Sequence, residues 1–331
     1  QMKHFKGTAV TSQLRRHFSA PLKADRRQRE VEEVLKDYQL RVGFEIHAQM
    51  NTQRKLFSTS RATQLAQTNK HANLVDLAFP GMLPVLNGEC LDKAIQCSLA
   101  LQGRLSEFIK FDRKHYFYAD LPQGYQITQK DHPIMQTGRL AFFDRFGAPS
   151  ELAIQRVQME QDSAKSFHVD ERLSLIDFNR AGMPLLEIVS EPEIHHPTDG
   201  KLALKELQDL LKALDISEAN MDEGQMRCDV NISLMPHAPG DEASGRMGER
   251  VELKNVMGIR FVEKAIEFEV LRHAALLKDG KKVVKETRRY DALRDLTVSL
   301  RSKEEDVDYR FMVDPDLPKI FVSADRVLRN R

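Results

Sequence analysis

The chain has 331 residues, 41% hydrophobic and 30% charged, which allows about two domains or one large catalytic domain. Lys and Arg number 50 against 49 Asp and Glu, so a net charge of +1 gives no global attraction to nucleic acid or membrane, and any anion site is local. Cys90, Cys97 and Cys228 form no CxxC pair, which excludes a disulfide scaffold and a cysteine-only zinc site and suggests a reducing compartment. Every apolar run breaks well before the ~18 residues of a membrane span.

Residues 1–24 carry Lys3, Lys6, Arg15, Arg16 and Lys23 with no acid, and Thr11, Ser12 and Ser19 lie among them. This composition reads as an organelle transit segment or a disordered basic tail, here bounded at residues 1–34. From residue 41 strict alternation begins: Val42, Phe44, Ile46, Ala48 and Met50 on one face, Gly43, Glu45, His47 and Gln49 on the other. That period predicts a half-buried strand. Next, Asp92 is placed as the cap of a helix carrying Ala94, Cys97, Ala100 and Leu101 and ending at Gly103. Residues 155–160 alternate again, with Val157 and Met159 opposite Gln158 and Glu160; residues 185–189 form a more apolar strand around Glu187. A helix over 201–214 aligns Leu207, Leu210, Leu211 and Leu214. Strands follow at 227–234, with Asp229 and Asn231 on the polar face, and at 251–254, with Glu252 and Lys254. The longest helix, 260–277, has a predicted core face of Phe261, Ala265, Phe268 and Ala275 and an outer surface supported by Glu263 and Glu267. The Pro- and Gly-rich stretch 235–248 reads as a mobile loop. Strands in runs with irregularly inserted helices point to an α+β fold, largely an antiparallel sheet with packed helices.

The polar faces are ordinarily wet. Glu45 and His47, however, project side by side roughly 7 Å apart on one strand face, a spacing that suits a metal or phosphate, although the pair alone is equally open to a surface role. Glu187 in an apolar strand needs a cation, a proton or a donor. Several carboxylates on one sheet face repel one another unless a divalent cation sits among them, and oxygen ligands with one His suit Mg²⁺ serving phosphoryl transfer. There is no Walker A sequence and no GxGxxG. Two cationic stretches, KHYFY at 114–118 and ETRRY at 286–290, together with Arg301, Ser302 and Lys303, suit nucleic acid. The alternative makes the aromatic residues core and the cations surface ion pairs.

The segments VGFEIHAQMNTQRKLFS (42–58), FPGMLPVLN (79–87), FDRKHYFYADLPQGYQITQ (111–129), MEQDSAKSFH (159–168), DFNRAGMPLLEIVSEPE (177–193), MDEGQMRCDVNISL (221–234), GERVELKNV (248–256), ETRRYD (286–291) and RSKEEDVDYRFMVDPDLP (301–318) together resemble the B subunits of the glutamyl-tRNA(Gln) amidotransferases. They run in family order over nearly the whole chain. The resemblance implies a ligase subunit of protein biosynthesis that uses ATP and Mg²⁺ to phosphorylate the γ-carboxylate of Glu on misacylated tRNA(Gln). Ammonia from an amidase subunit then displaces the phosphate. It implies a catalytic cradle over 35–331, resembling the glutamine synthetase and guanidino-kinase catalytic fold, with the family's C-terminal helical and tail domains absent. Partners would be the amidase subunit and Glu-tRNA(Gln), with a third small subunit left open, and the compartment the mitochondrial matrix. Carried over by position, Glu45, His47, Glu160 and Glu187 are the Mg²⁺ and catalytic candidates, and Lys114 and Tyr116 lie near the phosphorylation site. Asp229, Asn231 and Lys254 are the nucleotide-binding candidates. The chain departs from the family in having no cysteine pair at 70–79, in reading Glu160-Gln161-Asp162 where two consecutive glutamates are common, and in Val313 where proline is usual.

Overall fold

The computed structural model describes residues 26–63, 66–170, 172–237, 248–302 and 308–331. In chain order it contains α1 (Arg26–Asp37), β1 (Tyr38–Gln49), α2 (Gly88–Ala100), β2 (Arg104–Leu105), β3 (Phe108–Ile109), β4 (Asp112–His115) and β5 (Tyr125–Thr128). There follow β6 (Met135–Phe143), β7 (Pro149–Gln161), β8 (Lys165–His168), β9 (Ser174–Asp177), β10 (Pro184–Ser190), α3 (Pro197–Ala213), β11 (Met226–Pro236), β12 (Val251–Val256) and α4 (Ile259–Lys278). The last elements are β13 (Glu286–Asp291), β14 (Leu296–Ser302), β15 (Met312–Val313), β16 (Ile320–Phe321) and α5 (Ala324–Arg329).

A nine-stranded sheet in the order β14-β13-β12-β11-β1-β10-β7-β6-β2 forms the frame of this α+β fold. β1 sits at its centre because alternation gives it one apolar face, and Val42, Phe44, Ile46 and Ala48 are all buried there. Neighbours are antiparallel except β12 and β13, which pair in parallel because α4 supplies the crossover that parallel strands require. Helices α3 and α4 cover the apolar face. Gly200 lets α3 approach closely: a Cβ there would lie 3.2 Å from Phe44 and 3.4 Å from Ile266. The opposite face carries the polar residues and is partly covered by the small sheet β15-β4-β5.

Three expectations are corrected. The basic N-terminal segment does not extend to residue 34. Helix α1 begins at Arg26 and buries Val31 and Val34, while residues 1–25 and the loop centre at 238–247 lie outside the described residues. The cap of α2 is Asn87, whose side chain accepts from the Glu89 N–H; Asp92 instead lies one turn in and accepts from Arg326 at 2.7 Å. In α4, Glu263 and Glu267 are buried, as are Glu269 and His273. This helix is wedged between the sheet and helices α1 and α3, so a single apolar stripe does not describe it.

Residues 55–60 and 73–76 are tied together by polar contacts. Lys55 is fully buried, its Nζ 3.2 Å from Asp76 Oδ2 and 3.2 Å from the Phe178 carbonyl. Asp76 also accepts from Ser60 Oγ at 2.7 Å and the Asn73 N–H at 3.0 Å. A buried ion pair saturated by further donors holds this cysteine-free loop in place.

Candidate active site

Register brings the predicted residues together. His47 on β1 lies opposite Glu187 on β10 and Arg227 on β11, and Glu45 lies opposite Asp229. Paired residues project to the same face. Glu187 in turn pairs with Gln158 of β7, whose strand carries Glu160 two residues on. His47 Nε2 therefore sits 3.2 Å from Glu160 Oε1, 3.7 Å from Glu187 Oε2 and 3.9 Å from Glu45 Oε1. Glu160 and Glu187 are buried, whereas Glu45 and His47 are half-buried and open to the cleft.

The electrostatics follow from this crowding. Burial raises the Glu45 pKa above the usual carboxylate range, and the charge of Glu187 adds to it, against the pull of His47 and Lys254. Burial acts to lower the His47 pKa, but the contacts with Glu160 and Glu187 outweigh it and hold the imidazole well above its ordinary value. Glu160 is pulled below its ordinary value despite its burial, by His47, Lys114 and a hydrogen bond from Thr128 Oγ1 at 3.1 Å. Gln158 Nε2 donates to Glu187 Oε2 at 2.7 Å, fixing that carboxylate from the β7 side.

Ligand atoms of Glu45, His47 and Glu187 lie within 4.8 Å of one another, making a metal-competent group among the described residues. Hard oxygens with one imidazole are a donor set that Mg²⁺ or Mn²⁺ accepts. Three carboxylates around one imidazole leave excess negative charge, which a divalent ion offsets, so the residues present fit such an ion.

Lys114 and Tyr116 overhang this group from the β4–β5 hairpin. Lys114 Nζ lies 4.7 Å from the centre of the Tyr309 ring, and Tyr116 stacks edge-on against both Tyr118 and Tyr309. Burial and the neighbouring Glu160 and Asp120 push the Tyr116 hydroxyl pKa up. The reading of 116–118 as core is corrected, because Phe117 and Tyr118 are 85% and 67% exposed.

Asp229, Asn231 and Lys254 lie on the same face, toward β12. There two residues, Lys254 and Asn255, stand opposite the single residue Asp229, which makes a β-bulge. Asn255 adopts φ +50°, and its N–H donates to Asp229 Oδ1 at 2.8 Å. Lys254 bridges Asp229 and Glu252, the latter at 2.6 Å. Asp229 and Lys254 are thus each other's partners at the edge of the cleft, and half-buried Asn231 lies one step further along β11. The ETRRY stretch lies elsewhere: Arg288 turns to the helix-covered face and pairs with Glu269 at 3.1 Å and Glu286 at 2.7 Å. Arg288 is a structural ion pair there, whereas Arg289, the other arginine of the stretch, is exposed.

Sequence reasoning misses Gln158, Thr128, Arg227 and Tyr309 as site residues. Parity offers a signal for two of them, since Gln158 shares a face with Glu160 and Arg227 with Asp229. Thr128 and Tyr309 reach the site only through the hairpin and the β15 segment, whose placement over the sheet has no periodic signature.

A family model described as the GatB/GatE catalytic domain matches residues 40–328. The B subunit of the aspartyl/glutamyl-tRNA(Asn/Gln) amidotransferase of Coxiella burnetii (strain Dugway 5J108-111) is 47% identical over 285 residues, covering 86% of this chain and 59% of the relative. The B subunit of the mitochondrial glutamyl-tRNA(Gln) amidotransferase of Naegleria gruberi is 43% identical over 302 residues, covering 89% and 58%. The B subunit of the aspartyl/glutamyl-tRNA(Asn/Gln) amidotransferase of Cereibacter sphaeroides (strain ATCC 17025 / ATH 2.4.3) is 44% identical over 289 residues, covering 85% and 57%. The chain therefore spans less than two thirds of the length of these curated relatives.

Proposed function

The chain belongs to the GatB/GatE catalytic-domain family, and we propose that it carries the carboxylate-activating site of a tRNA-dependent amidotransferase. The observation that carries this reading is the convergence of Glu45, His47, Glu160 and Glu187 on one half-open cleft. Bound there, Mg²⁺ supplies charge neutralisation where an anionic carboxylate meets the anionic γ-phosphate of ATP. Glu45, His47 and Glu187 hold that ion, Glu160 orients His47, and Lys114 and Tyr116 bound the space above it. Lys254 at the bulge and Asn231 beside it face the nucleotide, with Asp229 fixing Lys254.

The reaction balances in two steps. A γ-carboxylate oxygen of tRNA-borne Glu bonds to the γ-phosphorus as the bond to the β–γ bridging oxygen breaks, releasing ADP. Ammonia then bonds to the acyl carbon, the carbon–oxygen bond breaks, and phosphate leaves with one of the ammonia protons. Water must be excluded from this second step, which the half-buried rings of Tyr116 and Tyr309 favour. A helix-backed antiparallel sheet with a polar open face supports the likeness to the glutamine synthetase and guanidino-kinase catalytic fold. An amidase subunit supplies the ammonia in this reading, and Glu-tRNA(Gln) is the acceptor substrate. The Naegleria relative's name and the basic composition of residues 1–24 support a mitochondrial setting.

The test follows ³²P transfer from ATP to Glu-tRNA(Gln) and formation of Gln-tRNA(Gln) by the full-length protein with its amidase partner. Wild type should do both. Glu45→Gln should stop both while tRNA binding and the partner's glutaminase persist. A Glu45→Gln protein that still forms Gln-tRNA at the wild-type rate would sink the reading.

A further inference from the structure

The cleft floor has two electrical halves. On one side, the three carboxylates of Glu45, Glu160 and Glu187 surround a single imidazole. One strand over, the balance reverses. Asp162 takes Arg227 Nη2 at 2.8 Å and has Arg180 Nε at 3.7 Å, so two guanidinium groups meet at one acid, while Glu160 and Asp229 act on Arg227 from further off. Arg180 is committed elsewhere, donating to the Ser163 and Ala164 carbonyls at 2.9 and 2.7 Å. It anchors the loop that carries Asp162. Arg227 is different. It is the direct register partner of His47 and projects to the same face. Its side chain is 27% exposed, against 6% for Asp162, and among the described residues only its Nη2 end is engaged.

A guanidinium held at one end and open at the other is a fork set toward an anion, and planar paired N–H donors match phosphate oxygens. A simple partner for Asp162 would not need to reach the cleft floor beside His47. Acid on one side and base on the other also suits a metal-bound polyphosphate, whose ion and outer oxygens want opposite charges.

We propose that Arg227 is a phosphate-contacting residue: held by Asp162, its guanidinium donates to the oxygens of the phosphoryl group as that group passes from nucleotide to carboxylate. Asp162 is its positioning residue. The assignment rests on the activation chemistry proposed above. Transfer moves the phosphorus and its three outer oxygens, and Arg227 gains and loses no proton, so it acts by charge and direction alone.

The experiment uses the full-length protein in complex with its amidase partner. It compares wild type, Arg227→Lys, Arg227→Gln and Arg227→Gly for single-turnover ³²P transfer from ATP to Glu-tRNA, for Mn²⁺ binding and for melting temperature. The expected result for Arg227→Gln is a fall of at least about a hundredfold in transfer rate, with Mn²⁺ affinity and KM for Glu-tRNA within threefold of wild type. Arg227→Lys should recover part of the rate, and guanidinium ion in the buffer should raise the rate of Arg227→Gly at least tenfold. A rate within threefold of wild type for Arg227→Gln overturns the assignment, as does a loss that tracks Mn²⁺ affinity or melting temperature, or a Gly variant deaf to guanidinium. A wild-type complex that transfers no ³²P overturns the activation reading itself and this assignment with it.

Discussion

Two clusters of buried acid lie on opposite faces of the same sheet, and they are built to different rules. On the helix-covered face, Glu269 is fully buried and met by Arg272 at 2.7 Å, Arg288 at 3.1 Å and the Thr297 hydroxyl. Arg272 and Arg288 share Glu286 as well, at 3.3 and 2.7 Å, so two acids balance two guanidinium groups. His273 Nε2 adds a contact at 3.1 Å that is out of line for a hydrogen bond and acts by proximity alone. On the cleft face, three carboxylates share one imidazole; among the described residues Arg156, 3.6 Å from Glu187, is the cation at pairing distance, and Lys114 and Lys254 act on Glu160 and Glu45 from further off. A saturated cluster serves the fold. A cluster left short of positive charge costs stability unless something binds, and that shortage marks a ligand site.

The difference is sharpest under substitution. Glu269→Ala should leave two half-buried guanidinium groups with Glu286 alone and cost up to about 3–5 kcal/mol, visible as a large loss of denaturant midpoint or as insoluble protein. A Glu269→Ala protein as stable as wild type would show that the helix-side network adds nothing. The same network sets an acid limit. Burial acts to raise the Glu269 pKa, but His273 and Arg272 hold it down to about 2. A depressed folded pKa gives stability that is fully present above the unfolded value near 4.5 and is lost as pH falls from there toward 2. The loss should amount to roughly 3 kcal/mol across that window. Denaturation at pH 5 and pH 3 should show about 2 kcal/mol of it in wild type, and Glu269→Gln should flatten it.

Cleft-face changes should behave in the opposite way. Glu187→Gln keeps the size and removes one of three crowded charges, so stability should hold or rise, while ³²P transfer should fall about a hundredfold, equivalent to ~2.7 kcal/mol. Glu45→Gln should do the same, since a carboxylate whose pKa is raised in the fold opposes folding once ionised. If either substitution unfolds the protein, the cleft cluster is a structural network like its counterpart.

The cleft face is legible in the sequence because β1 alternates strictly and places Glu45 and His47 on one side. The neighbours of that strand are not. Nothing local says that Glu187 lies opposite His47, or that β7 brings Glu160 within 3.2 Å of it; register is settled by long-range pairing, and only the family resemblance groups these residues beforehand. The helix-side cluster is where sequence reasoning fails outright. Glu263 and Glu267 read as an outer surface because acids on a helix usually are, yet α4 is a crossover buried on several sides. The parallel β12–β13 pair escapes for the same reason, since only the path of α4 creates it. Asp229 looks like a free carboxylate on the polar face, and only the bulge at Asn255 shows that it is already occupied.

Metal binding offers the smallest effect and the cleanest separation of the two faces. An ion that binds the folded state alone stabilises it by RT ln(1 + [L]/Kd), about 1.4 kcal/mol at tenfold excess over Kd. For a chain of this length that is a shift of only a degree or a few in melting temperature. Mn²⁺ should produce it in wild type, because Glu45, His47 and Glu187 converge. It should produce none in Glu187→Gln, where one of three ligand groups is lost. A conservative helix-side variant such as Glu269→Gln should keep the full shift from its lower starting point, because its cluster already holds its cations and lies beyond the sheet. The three measurements form one thermal series at constant ionic strength, with Ca²⁺ as a control for general charge screening. An equal Mn²⁺ shift in wild type and Glu187→Gln would place the ion elsewhere. Loss of the shift in Glu269→Gln would mean that the two faces are coupled through α4 and β12, and that the helix-side network helps to shape the cleft.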